Sequence, residues 1–163
     1  MDKEDAMLRY RWIGFLVLAA FLISCGKQEN PVETEKFGEI SGTVTFIGTW
    51  PQIGEVQVSA WTDWPPMGPP AAASDPFQPG KNVQTYKIEG LSKGKYPVIT
   101  VGWRDPSNPA GAKVLGVYWA NKDSVGVKAD GISFVGNPIP IEITDEKLVW
   151  TNIDMKANLD LAQ

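Results

Sequence analysis

Histidine is absent from this sequence and cysteine occurs once. A Ser-His-Asp triad, a histidine-ligated zinc site and an intramolecular disulfide all fall away on those two counts. Carboxylates remain as candidates for acid–base work. The chain has 19 of them, and 16 lie beyond Asp2, Glu4 and Asp5 at its start. A glycosidase-like pair would have to meet across a cleft at a fixed separation, and no spacing in the sequence brings any two together. Asp105-Pro-Ser-Asn108, with Asp123 and Asp130 further on, offers oxygens of the kind calcium prefers. The spacing matches no calcium loop, and Asp-Pro and Asn-Pro are ordinary turn openers. The reading at this level is a protein that is not an enzyme, with no metal and no cofactor.

Tryptophan is the chemistry-bearing residue in surplus, with seven in the chain. Trp103 shares parity with Ile99 and Val101, and Trp119 with Leu115 and Val117, which assigns both to a core. Trp61 instead falls on the polar side of its segment with Glu55, Gln57 and Ser59, and Trp150 falls beside Asn152 and Asp154. Trp50 and Trp64 each precede a proline. Exposed indoles stack on sugar rings or accept a partner's apolar groups, and Pro65 and Pro66 stiffen the loop that carries Trp64. The sequence therefore nominates Trp61 and Trp64 as a ligand-binding surface, with Glu55, Gln57 and Asp63 as hydrogen-bonding neighbours. The competing reading is that residues 63–82 fold back over these indoles as a local aromatic–proline cluster.

The scaffold that must position them is bounded by composition. At 163 residues, 43% apolar, 21% charged and net charge −4, the chain fits one folded domain and not a disordered one. A pI near 4.8 argues against nucleic acid as a partner, because an acidic surface repels phosphate. Arg9 and Arg11 precede an apolar run from Trp12 to Ile23. A spanning helix needs about 20 such residues, so this shorter run has the length and flanks of a secretory signal. Leu22-Ile23-Ser24-Cys25, which ends it, resembles the lipobox of bacterial lipoproteins. That resemblance implies that the Cys25 thiol receives a diacylglycerol and that the chain is cut before it. It divides the protein into a signal peptide over 1–24, a lipidated cysteine and flexible tether over 25–37, and a folded domain over 38–163. It also implies a membrane-anchored protein on the periplasmic or cell-surface face of a bacterial envelope. Membrane lipid is then one partner and a glycan or an envelope protein another. Two or more acyl chains hold such a protein stably, where one is marginal.

The domain itself reads as all-β. Ile40, Gly42, Val44 and Phe46 alternate with Ser41, Thr43 and Thr45, and Val56, Val58 and Ala60 alternate with Glu55, Gln57 and Ser59. Tyr86 and Ile88 alternate likewise, and further strands are expected at Tyr96–Arg104, Val114–Ala120, Ile139–Ile143 and Leu148–Met155. Period-2 patterning with one apolar face marks half-buried antiparallel strands. About seven of them, after an N-terminal signal helix, make an antiparallel β-sandwich. Its expected core includes Val44, Phe46, Val58, Ile88, Leu91, Ile99, Val101 and Val117.

Ser41-Gly42-Thr43-Val44, Val56-Gln57-Val58 and Tyr86-Lys87-Ile88-Glu89-Gly90-Leu91-Ser92-Lys93-Gly94-Lys95-Tyr96 follow one another in an order that resembles the transthyretin-like (prealbumin-like) sandwich of carboxypeptidase regulatory-like domains. In that pattern Leu91 closes the core, Gly94 admits a positive φ and Tyr96 starts the returning strand. Hydroxyisourate hydrolases of the wider group rely on histidines and a Tyr-Arg-Gly-Ser tail. This chain lacks both and ends Asp160-Leu161-Ala162-Gln163, so that activity does not carry over. Residues 63–82 depart from the pattern as a long insertion, read as a functional loop or a flap. The rival immunoglobulin-like sandwich has no Cys–Trp–Cys spacing in its favour. The expected protein is a lipid-anchored, non-catalytic β-sandwich binding module. The other reading is a structural envelope lipoprotein with no small-molecule ligand.

Overall fold

A computed structural model describes residues 36–163; the expected signal peptide, Cys25 and the tether up to residue 35 lie outside the described residues. Ten strands follow in chain order: β1 (Gly38–Ile47), β2 (Glu55–Trp61), β3 (Ala72–Ala73), β4 (Val83–Leu91), β5 (Gly94–Tyr96), β6 (Val98–Asp105), β7 (Asn108–Val117), β8 (Ile141–Ile143), β9 (Val149–Trp150) and β10 (Met155–Asn158). A 3-10 turn, Leu159–Ala162, ends the chain, and no α-helix occurs among the described residues. The count exceeds seven for local reasons. Pro97 has no N–H to donate and splits the returning strand into β5 and β6, which pair with different partners. The last expected strand breaks at residues 151–154, where Asn152 adopts φ +60°.

Two four-stranded sheets hold the core. In the first, β1 pairs antiparallel with β4, setting Gly42 opposite Tyr86. On its other side β1 takes β9 and β10, both parallel. The antiparallel expectation therefore fails for the last strand, which the chain reaches by a long return rather than a hairpin. The second sheet is antiparallel throughout, in the order β3-β2-β6-β7, and β5 pairs with β8 apart from both. Inward side chains of the two large sheets meet in one cluster. Ile40, Val44, Phe46, Ile88 and Met155 come from the first, and Val56, Val58, Ile99, Val101 and Leu115 from the second. All eight residues expected in the core are buried. Each such aliphatic side chain contributes about 1.5–3 kcal/mol relative to exposure. The sheets approach closely at Gly116 of β7, where a Cβ would meet the Lys156 carbonyl oxygen of β10.

A β-bulge changes what β7 faces. Val101 lies opposite Gly116 but Gly102 lies opposite Val114, so Leu115 is an extra residue in the ladder. A bulge breaks the alternation at that point. Leu115 enters the main core, while Val114 and Val117 belong to a second cluster with Val98 and Val127. The expectation that Leu115, Val117 and Trp119 share one face is corrected accordingly. β6 is consequently buried on both sides, with Ile99 and Val101 in the main core and Val98 in the second cluster.

Candidate functional site

The second cluster determines where the nominated tryptophans lie. Residues 119–140 run over the outer side of the β2-β6-β7 sheet, and their backbone is bonded to the edge of β7. Val114 N–H donates to Gly131 O at 3.0 Å and Val117 N–H to Val125 O at 2.9 Å. Beneath this cover Val98, Val117 and Val127 pack with Trp61, Trp64 and Phe134. Trp61 is half-buried, and its indole N–H donates to Thr100 Oγ1 at 2.9 Å. Ser59 and Thr100 on the same face are buried. The solvated face expected for Trp61 is thus a covered one, because strand parity marks a side of the sheet and not what lies on it.

Residues 63–82 contribute Trp64 to that cluster. Their second half pairs onto the edge of β2: Ala71, Ser74 and Phe77 N–H groups donate to Ala60, Val58 and Val56 carbonyls at 2.8–2.9 Å. The Ser74 hydroxyl takes Val58 N–H at 3.0 Å. The first half carries Trp64, whose ring lies against Phe134 with centroids 4.3 Å apart and planes tilted by 56°. Beside Trp64 is a shallow cleft of about 180 Å³, lined also by Lys95, Pro97, Asn137, Pro138 and Pro140. β5 presents Lys95, the β5–β6 junction presents Pro97, and the segment leading into β8, held by a Trp119–Pro138 bridge, presents Asn137, Pro138 and Pro140. An apolar wall with one ammonium and one carboxamide can take a flat apolar face while bonding polar groups at its rim. Lys95, Asn137 and the prolines carried no signal in the sequence, since their convergence depends on the path of residues 119–140.

The structure brings Trp61 and Trp64 into one cluster but not the rest of the nominated surface. Glu55 sits at the opposite end of β2, paired with Arg104 at 3.1 Å. It lies six positions from Trp61, or about 20 Å at 3.3 Å per residue. Gln57 lies towards that same end, and Asp63 is exposed and accepts the Thr62 hydroxyl at 3.1 Å. Three further indoles donate to backbone carbonyls at 2.9 Å: Trp103 to Ile53, Trp119 to Ser124 and Trp150 to Glu142. Trp150, expected on a polar face, packs on the main core with Lys147 Nζ 3.1 Å from its ring centroid. Trp50 packs on Phe46, centroids 4.9 Å apart, and its buried N–H has no partner.

Two of the aspartates weighed for calcium, Asp105 and Asp130, serve turns. Asp105 Oδ1 accepts Ser107 N–H at 2.9 Å and its hydroxyl at 2.7 Å, bonds that hold the carboxyl below the usual carboxylate range. Asp130 Oδ1 accepts Ile132 N–H at 2.9 Å and Ser133 N–H at 2.7 Å. Among the described residues no three metal-ligating side chains gather, and no helix is long and apolar enough to cross a membrane. Compared with protein families, curated proteins and solved structures, the chain matches none.

Proposed function

We propose that the protein is a lipid-anchored cell-envelope module, a prealbumin-like β-sandwich tethered through acylated Cys25, that binds an external glycan, peptide or envelope partner without catalysing a reaction. The observation that carries the binding reading is Trp64, half-buried beside Phe134 at a cleft whose other walls are three prolines, Lys95 and Asn137. Prolines and a packed indole lose little entropy on binding. The anchor rests on Leu22-Ile23-Ser24-Cys25. A second reading, an accessory envelope lipoprotein with no small-molecule ligand, is favoured by Trp61, whose N–H is already taken by Thr100.

Tryptophan emission of the full chain, titrated with a panel of cell-wall glycans and peptides, separates the two readings. Binding that a Trp64→Ala variant loses while remaining folded supports the module. A panel without effect on the emission gives the accessory reading. Mass spectrometry of the mature N-terminus tests the anchor, and an unmodified Cys25, or cleavage elsewhere, overturns it.

A further inference from the structure

The edges of the two large sheets are not treated alike. β7 is covered along its outer edge by residues 125–131. β3 is two residues long, with Pro69, Pro70, Pro76 and Pro79 around it. β10, four residues long, packs at Gly116 of β7. β4 is nine residues long and, among the described residues, pairs only with β1.

The direction of its free groups follows from β1. Ser41 O and Thr43 N–H face the β9–β10 side, bonded to Ile153 N–H and Asp154 Oδ1, and Phe46 N–H faces β4, bonded to Asn82 O. Even-numbered residues of β1 therefore bond β4, and their register partners are Gln84, Tyr86 and Ile88. By the alternation of an antiparallel ladder, Val83, Thr85, Lys87 and Glu89 turn their N–H and C=O groups outward.

A long edge of this kind is a template for another strand, and proteins usually blunt it with charge, proline or a bulge. Here the bulge falls at the far end, beyond Ile88, where Gly38 pairs with Leu91, and the one cation on the edge is withdrawn. Lys87 is drawn back across the sheet to Glu39 of β1 at 3.0 Å and also meets Glu89 at 3.4 Å. A groove of about 650 Å³ runs between β4 and residues 73–78, within the size range of ligand sites. The Gln84 carboxamide closes one end by bonding Gln78 N–H at 3.0 Å and Gln78 O at 2.8 Å. Asp75 stands on the far wall with no ion pair among the described residues. With Lys87 matched by Glu89, the lining carries one net negative charge.

We propose that this edge and groove receive an extended peptide segment of a partner protein, added to β4 as a further strand. The segment turns alternate side chains towards the groove and carries a basic residue there for Asp75. Main-chain bonds from Thr85, Lys87 and Glu89 supply the affinity, and the groove reads alternate side chains. This surface is independent of the Trp64 cleft.

The test is residue-resolved hydrogen exchange on the full chain, with a short peptide alternating valine and lysine as the probe. In the free protein the amides of Thr85, Lys87 and Glu89 exchange at least ten-fold faster than those of Tyr86 and Ile88, and the peptide slows them. A peptide N-methylated at alternate residues does not. Thr85→Pro, tolerable at an edge, weakens binding ten-fold or more while the tryptophan emission of the free protein is unchanged. Should that variant fail to fold, the N-methylated peptide carries the same discrimination on the native chain. Three results overturn the proposal. One is slow exchange at the three amides in the free monomer. Another is protection that grows with protein concentration alone, which makes a second copy the occupant. The third is no protection on adding the peptide, or protection that N-methylation leaves intact.

Discussion

The indole N–H of Trp61 donates to the hydroxyl of Thr100, 2.9 Å away on the neighbouring strand. That bond makes Trp61 part of the scaffold and leaves Trp64 as the indole at the cleft. Trp61→Ala should cost about 3–5 kcal/mol, the usual loss for a large aromatic removed from a packed site. Trp64→Ala forfeits a ring contact with Phe134 worth about 0.5–1.5 kcal/mol beyond its area and should cost less. Urea unfolding of both variants decides the order, and equal losses would place both tryptophans in the scaffold.

Gly116 and Gly102 lie on paired strands and differ in what an added methyl would meet. At Gly116 it would run into the Lys156 carbonyl and the Ala157 backbone, whereas at Gly102 it reaches only Lys113 O at 3.6 Å. Gly116→Ala should destabilise by about 1–3 kcal/mol or more, since the sheets must part to accommodate it. Gly102→Ala should stay under about 1 kcal/mol. Thermal unfolding of the two variants side by side checks this.

Tyr86 donates its phenol to Ile153 O at 2.7 Å. Burial pushes its ionisation well above the ordinary tyrosine range, and the charges of Asp154 and Tyr118 push the same way. The neutral phenol is the form that the fold favours. Its contribution is therefore full below about pH 10, where an unfolded tyrosine ionises. It falls as pH climbs from there towards the folded value. Tyr86→Phe leaves the Ile153 carbonyl buried without its donor, a loss of about 1–3 kcal/mol at neutral pH. The variant should also lose less stability between pH 9 and 11 than the native chain, as urea midpoints across that range will show.

Asp130 behaves in the opposite sense. Bonds from Ser133, side chain first and then backbone, and from Ile132 N–H hold its carboxyl at about 2. The ionised carboxylate is the bonded form, so the turn is intact above the unfolded value near 3.9. It loosens as pH falls through about 2. Carbon NMR should place the Asp130 midpoint near 2, with Ile132 and Ser133 amide shifts moving in step. Asp130→Asn should remove the acid step at both amides.

Alternation identified β1, β2, β4 and β6 because each has one face against the main core, and it set β2 at residues 55–61. It failed where something other than alternation determines the environment. The extra residue at Leu115 reverses sides in mid-strand. β7 begins at Asn108, in a stretch where Pro109 and Gly111 hide its periodicity. At the end of the chain Asp154 replaces a main-chain acceptor for Thr43 N–H at 3.0 Å, so the strand breaks there and resumes one residue out of step. The cleft was legible only at Trp64, because Lys95 and Pro97 meet Asn137, Pro138 and Pro140 only through the path that residues 119–140 take.

The pairing of β1 with the chain's end sets an order of events during synthesis. Thr43 waits for Asp154, 111 residues later, to complete its bond. At 5–20 residues per second that interval is on the order of ten seconds. Until then the first sheet is only the β1–β4 pair, and two strands alone are marginal in water. The second sheet, whose strands have all emerged by Val117, can therefore form while the first still waits for β9 and β10.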